Sequence, residues 1–130
     1  MMTLDNIRHL PRLRIGEAMR LFGMTARALR FYEERGLIEA RRDRMNCRYY
    51  DAAARKRLEW IRLLRAGGLS IDDIREVLSA EDASAAGHQC ALDKLEARHA
   101  AAVQELSALE GAIADLRGPG AQTAGQALPA

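Results

Sequence analysis

Between Leu92 and Leu116 the chain repeats with a period of seven. Leu92, His99, Leu106 and Ile113 form one series, and Leu95, Ala102, Leu109 and Leu116 form the other. Four consecutive heptads with this a/d spacing require a long helix with an apolar seam, and one such helix cannot bury its stripe alone. The seam region, His88 to Arg117, therefore predicts a coiled-coil helix that needs a partner helix. His99 at an a position reads first as a polar residue that fixes pairing register, ahead of a pH or metal switch.

The segment before this helix has the opposite charge. Residues 1–79 hold 17 Lys and Arg against 11 Asp and Glu, a net of +6, whereas residues 80–130 hold 3 against 7, a net of −4. A basic N-terminal part joined to an acidic remainder places a nucleic-acid surface on the first part alone. Biased coding composition explains arginine over lysine, 18 to 2, but not the clustering.

Within the basic part, Ile15, Ala18, Met19 and Phe22 recur at helical spacing, and Gly23-Met24 breaks the pattern before Thr25. The hydroxyl of Thr25 is a good N-cap for a second helix over Ala26–Arg35, ended by Gly36. Leu29 and Tyr32 share one face of it, and Arg27, Arg30 and Glu34 another. Helix, short glycine turn and helix is the helix-turn-helix pattern. The segment Glu39–Asp51 follows, with Arg41, Arg42, Arg44 and Arg48, a turn-prone Asn46, and Cys47, Tyr49 and Tyr50 favouring an extended return. It reads as a small basic wing. Asp51 then caps a helix through about Arg65 with Leu58, Trp60, Ile61 and Leu64 as apolar contributors. Gly67-Gly68 breaks it, and Ser70 starts another helix with Ile71, Ile74, Val77 and Leu78 inward.

This order of motifs resembles the MerR family of bacterial transcription regulators. The residues that carry the resemblance are Ile15-Gly16, Ala18, Arg30-Phe31-Tyr32, Gly36-Leu37-Ile38, Arg48-x-Tyr50 and the run from Gly68 through Ser70 to Ile74. It covers roughly Arg14 to Leu78, and the long C-terminal helix fits as well. The resemblance implies a mainly α fold: an N-terminal extension over 1–13, a winged helix-turn-helix DNA-binding domain over 14–79, a linker and antiparallel coiled-coil dimerisation helix over 80–117, and a disordered tail over 118–130. It also implies a homodimer that binds a pseudo-palindromic site in double-stranded promoter DNA, distorts the promoter spacer and works with RNA polymerase.

With geometry added, Arg27 is the expected base contact, and Arg30, Arg48 and Tyr32 anchor the DNA backbone. Arg14 and Arg41 are supplementary phosphate partners, and Thr25 and Tyr50 complete the expected DNA-binding set. By the same resemblance, the Leu69-Ser70 turn and Arg65 reach phosphate as a second wing.

In metal sensors of this family a cysteine near Cys90 reaches a metal loop at the end of the partner's helix. Here no cysteine or histidine follows Leu116, so His88 and Cys90 are the remaining metal candidates, short of the three or four ligands that zinc requires. No cofactor is expected. Alternatives are a thiol- or metal-responsive regulator using Cys90, and a DNA-architectural or recombination-accessory protein. An enzyme is not expected, since Asp72-Asp73 complements a helix dipole and no Ser, Cys or His partner converges on it. Two cysteines 43 residues apart, no membrane-length apolar stretch and no signal-peptide core point to a cytoplasmic protein.

Overall fold

The computed structural model describes residues 7–81 and 85–122. Strand β1 (Leu13–Arg14) leads directly into α1 (Ile15–Phe22), and α2 (Ala26–Glu34) follows. Strands β2 (Arg41–Arg42) and β3 (Arg48–Tyr50) form a hairpin. Helices α3 (Ala52–Ala66), α4 (Ile71–Glu81) and α5 (Ala85–Gln122) complete the chain.

Local chemistry fixes most of these boundaries. Thr25 Oγ1 accepts from the Ala28 amide at 3.0 Å, Asp51 Oδ1 from Ala54 at 2.9 Å and Ser70 Oγ from Asp73 at 3.1 Å, so each of α2, α3 and α4 has a side-chain cap. Gly36 ends α2 at φ 75°, where the Leu37 amide reaches back to the Tyr32 carbonyl at 2.9 Å and the Gly36 amide to Glu33 at 3.0 Å. Those bonds satisfy the last carbonyls of the helix, and a β-carbon would strain the left-handed backbone.

The sheet has three strands in the order β1-β3-β2, all antiparallel. Leu13 pairs with Tyr50 and Arg14 with Tyr49, while Arg41 pairs with Tyr49 and Arg42 with Arg48. The sheet thus begins one residue before the expected boundary at residue 14. Leu13 and Ile7 are both fully buried, so the stretch read as an extension contributes a strand and core side chains to the DNA-binding domain.

One core joins the elements. Leu29 and Tyr32 of α2 meet Ala18 and Phe22 of α1, the inner row Leu58, Ile61 and Leu64 of α3, and Ile74, Val77 and Leu78 of α4. Each is at most 8% exposed.

Helix α5 behaves differently along its length. Its first turns lie along α4: Ala91 is buried, and Cys90 and Leu95 are packed on the core. Leu95 approaches Gly67 so closely that a β-carbon there would meet its Cδ2 at 2.5 Å. Lys94 bonds Asp73 at 3.2 Å and Glu76 at 2.7 Å, which raises the lysine pKa and lowers that of Asp73.

Leu95, expected on the intersubunit seam, thus serves the chain's own core. From Glu96 to Gly118 every side chain is exposed, including His99, Ala102, Leu106, Leu109, Ile113 and Leu116. Val103, absent from the expected seam, adds to this stripe, and Leu92 is exposed as well. The helix runs on to Gln122, past the expected start of the tail at residue 118, and residues 123–130 lie outside the described residues.

Candidate nucleic-acid interface

Helix α2 sorts its side chains as its spacing requires. Leu29 and Tyr32 turn inward, whereas Arg27, Arg30, Phe31 and Glu34 are exposed. Arg27 and Arg30 have no hydrogen-bond or ion-pair partner among the described residues. Such guanidiniums keep all five donors for a base edge or a phosphate. Arg35 lies over the Phe31 ring at 5.1 Å.

The wing is built around a residue that sequence reasoning missed. Asp43 Oδ1 accepts from the amides of Met45 and Cys47, each at 2.9 Å. Backbone bonds from Asp43 N to Cys47 O at 3.0 Å and from Asn46 N to Asp43 O at 2.9 Å close the turn. Asn46 takes the left-handed conformation at φ 63°, the role its side chain tolerates. The Cys47 amide first, and then the Met45 amide and Arg14, hold the Asp43 carboxyl below its usual range against a partial opposing effect of burial.

Glu33 is the second missed residue. It sits on the flank of α2 that faces the wing, where it accepts from the guanidinium of Arg48 and, at 2.8 Å, from the hydroxyl of Tyr50. Arg48 and Tyr50 are two apart on one strand and so lie on the same face. That spacing was the available signal that both need a common acceptor. Burial first, and then Glu33, push the Tyr50 phenol well above its usual pKa.

The expected DNA-binding set therefore divides. Arg27 and Arg30 stand free on α2, and Thr25 acts as its cap. Arg14 lies 3.7 Å from Asp43, and Arg41 bonds Asp51 at 2.7 Å, so both keep exposed guanidiniums while bracing the wing. Arg48 is half-buried against Glu33. The Tyr50 ring is fully buried and its hydroxyl is committed to Glu33, so the structure places it inside the wing's support. Tyr32 is 8% exposed, and its ring belongs to the core. Arg65 turns back onto the Leu69 carbonyl at 3.2 Å, closing the turn expected to act as a second wing.

The metal candidates sit in different surroundings. The His88 ring meets Trp60 edge-on with centroids 6.1 Å apart, whereas Cys90 packs against the core as a free thiol. Among the described residues no three His, Cys, Asp or Glu side chains gather in a way that could hold a metal ion. No helix among them is long and apolar enough to cross a membrane.

Comparison with known proteins bears on this surface. Residues 13–81 match the family described as "MerR HTH family regulatory protein", and residues 55–118 match "MerR, DNA binding". The chain is 40% identical over 65 residues to the HTH-type transcriptional activator SoxR homolog of Chromobacterium violaceum; the match spans 50% of this chain and 44% of that relative. The fold is similar to the transcription regulator PbrR691 of Ralstonia metallidurans CH34, solved in complex with lead(II), with TM-score 0.60 and 34% identity over 81% of this chain and 84% of that one. It is also similar to HiNmlR, a regulator lacking the sensor domain and bound to promoter DNA. That likeness has TM-score 0.59 and 20% identity, over 78% of each chain.

Proposed function

This chain belongs to the MerR family of helix-turn-helix regulatory proteins, and on that premise we propose that it is a transcription regulator that binds promoter DNA as a homodimer. The observation that carries the reading is the outer face of α2, where Arg27 and Arg30 are exposed and without partners among the described residues. A helix of this size fits the major groove, where arginine forks onto guanine O6 and N7. Arg27 takes the base-reading role and Arg30 the phosphate role. Arg14, Arg41 and Arg48 on the sheet supply further phosphate contacts from positions fixed by Asp43, Asp51 and Glu33.

The exposed stripe of α5 supports the dimer. Val103, Leu106, Leu109, Ile113 and Leu116 are left exposed by the described residues, and an antiparallel copy would bury them. Two-fold symmetry then brings two α2 helices to successive major-groove segments, so the site is pseudo-palindromic. The bound dimer distorts the promoter spacer and so realigns the elements that RNA polymerase reads. Smooth bending of this kind costs on the order of 1–6 kcal/mol, which phosphate contacts must offset. The promoter complex of HiNmlR, which shares the fold, supports this mode of docking.

The test is selection of duplexes from a randomised library by the full-length protein, followed by footprinting. One pseudo-palindrome with half-sites about 10 base pairs apart, or a multiple of that, is expected. Arg27→Ala should relax base preference, and Arg30→Ala should weaken all sequences alike and lower the salt slope by about 1. Phased sites without symmetry would replace regulation with an architectural role.

A further inference from the structure

In the wing and the strand beside it, almost every arginine is already held by another part of the chain. Arg41 bonds Asp51, Arg42 bonds the Asn46 carbonyl at 2.9 Å, Arg48 bonds Glu33, and Arg14 faces Asp43. Arg44 alone among them has no partner among the described residues. Beside it Met45 is 81% exposed, more than any other large hydrophobic side chain described.

A single exposed methionine is ordinary on a protein surface. This one is different because its backbone is pinned. Asp43 Oδ1 accepts from the amides of Met45 and Cys47, Asn46 holds the left-handed turn, and Arg42 donates to the Asn46 carbonyl. Little ordering entropy is then lost when the tip enters a binding site. A wing meant only to grip phosphate would need cations and no apolar tip.

We propose that Arg44 and Met45 form a second DNA-reading element that enters the minor groove flanking the α2 half-site and selects A·T pairs there. The inference rests on the promoter-binding reading above. A narrow A·T-rich minor groove concentrates negative potential and draws in a free guanidinium. Met45 supplies the apolar wedge that partly unstacks a base step, as side chains of this type do in minor-groove binders. Because Glu33 joins the wing to α2, the tip is carried at a fixed offset from the major-groove residues. The two elements thus read neighbouring grooves together.

Base analogues separate the grooves. An inosine·cytosine pair shows the minor-groove edges of A·T and the major-groove edges of G·C, because it lacks the guanine amino group. The probe is the duplex selected by the full-length protein, with A·T pairs outside the α2 half-sites replaced by G·C or by inosine·cytosine. The G·C replacement should weaken binding on the order of tenfold while inosine·cytosine stays within about twofold of the parent.

Arg44→Ala should abolish this discrimination and lower the salt slope by about 1, whereas Met45→Ala should reduce discrimination at an unchanged slope. Equal weakening by the two replacements, or full discrimination by both variants, would overturn the proposal. Selection of no duplex at all would overturn the promoter-binding reading along with it; loss of groove discrimination alone overturns only the wing-tip role.

Discussion

Removing the Glu33 carboxylate tests whether the wing and α2 form one rigid reading surface. Glu33 accepts the hydroxyl of Tyr50 at 2.8 Å, and the Tyr50 side chain is fully buried. In Glu33→Ala that hydroxyl loses its acceptor without gaining water, which costs about 1–3 kcal/mol. Arg48 is one-third exposed and can turn to solvent, so the lost ion pair adds no more than about 1 kcal/mol. The expected total is about 1–4 kcal/mol.

Urea unfolding followed by circular dichroism and by the fluorescence of the single tryptophan, Trp60, measures it. Protomer concentration must be held constant, since stability of a dimer depends on it. A double-mutant cycle isolates the bond: combined with Tyr50→Phe, Glu33→Ala should cost about 1 kcal/mol less than it does alone. Glu33→Gln, which keeps an acceptor but not the charge, should fall between the two. A coupling below about 0.3 kcal/mol would refute the argument that the Tyr50–Glu33 bond holds the wing.

Leu106→Asp with Leu109→Asp should convert the dimer to monomer in sedimentation equilibrium while leaving the far-ultraviolet spectrum helical; a persistent dimer would place the interface elsewhere. Asp43 and Asp51 have depressed folded pKa values, so the stability they contribute is present above the unfolded value of about 3.9 and is lost as pH falls through the lower folded values. The Met45 and Cys47 amide resonances should accordingly hold steady down to about pH 4 and shift only below it; movement near neutrality would contradict this. Gly36→Ala should cost about 1–2 kcal/mol because φ is 75°, yet Gly111→Ala should stabilise by about 0.8–1.0 kcal/mol, since nothing lies within 4 Å of the new methyl and the position is mid-helix on the side away from the stripe. Purified protein should hold no stoichiometric metal by elemental analysis, and Cys90→Ser should leave DNA binding unchanged; one metal per chain that depends on Cys90 would favour a sensing role.

What the sequence disclosed was whatever is encoded within a few residues. Thr25, Asp51 and Ser70 act as caps, Gly36 and Asn46 take left-handed positions, and the two faces of α2 fall where their spacing puts them. What stayed hidden depends on partners far along the chain. β1 is two residues long and carries no period, and only its pairing with Tyr50 reveals it. Which arginine is free depends on where the carboxylates fall: Glu33 takes Arg48 from fifteen residues away, and Asp51 takes Arg41 from ten. Tyr50 looked like a surface aromatic in a basic run because its burial comes from the fold around it. Heptad spacing likewise could not show that Leu95 would pack against the chain's own core beside Gly67.

The rooting of α5 on α4 makes the coiled coil a ruler. Helix α5 has 38 residues and is about 57 Å long, and Ala91, Lys94 and Leu95 fasten its base to the head that carries α2. In a dimer joined along the stripe, a tilt of about 5° at that base displaces the far end of the free arm, about 40 Å long, by about 3.5 Å. A slip of one heptad changes the separation of the heads by about 10 Å, close to the rise of three base pairs. On the proposed dimer, the spacing between half-sites would therefore be written in the seam, far from any nucleotide. In the dimer proposed above, a polar His99 among leucines would penalise shifted pairing and so guard the length of the operator as much as the identity of the partner.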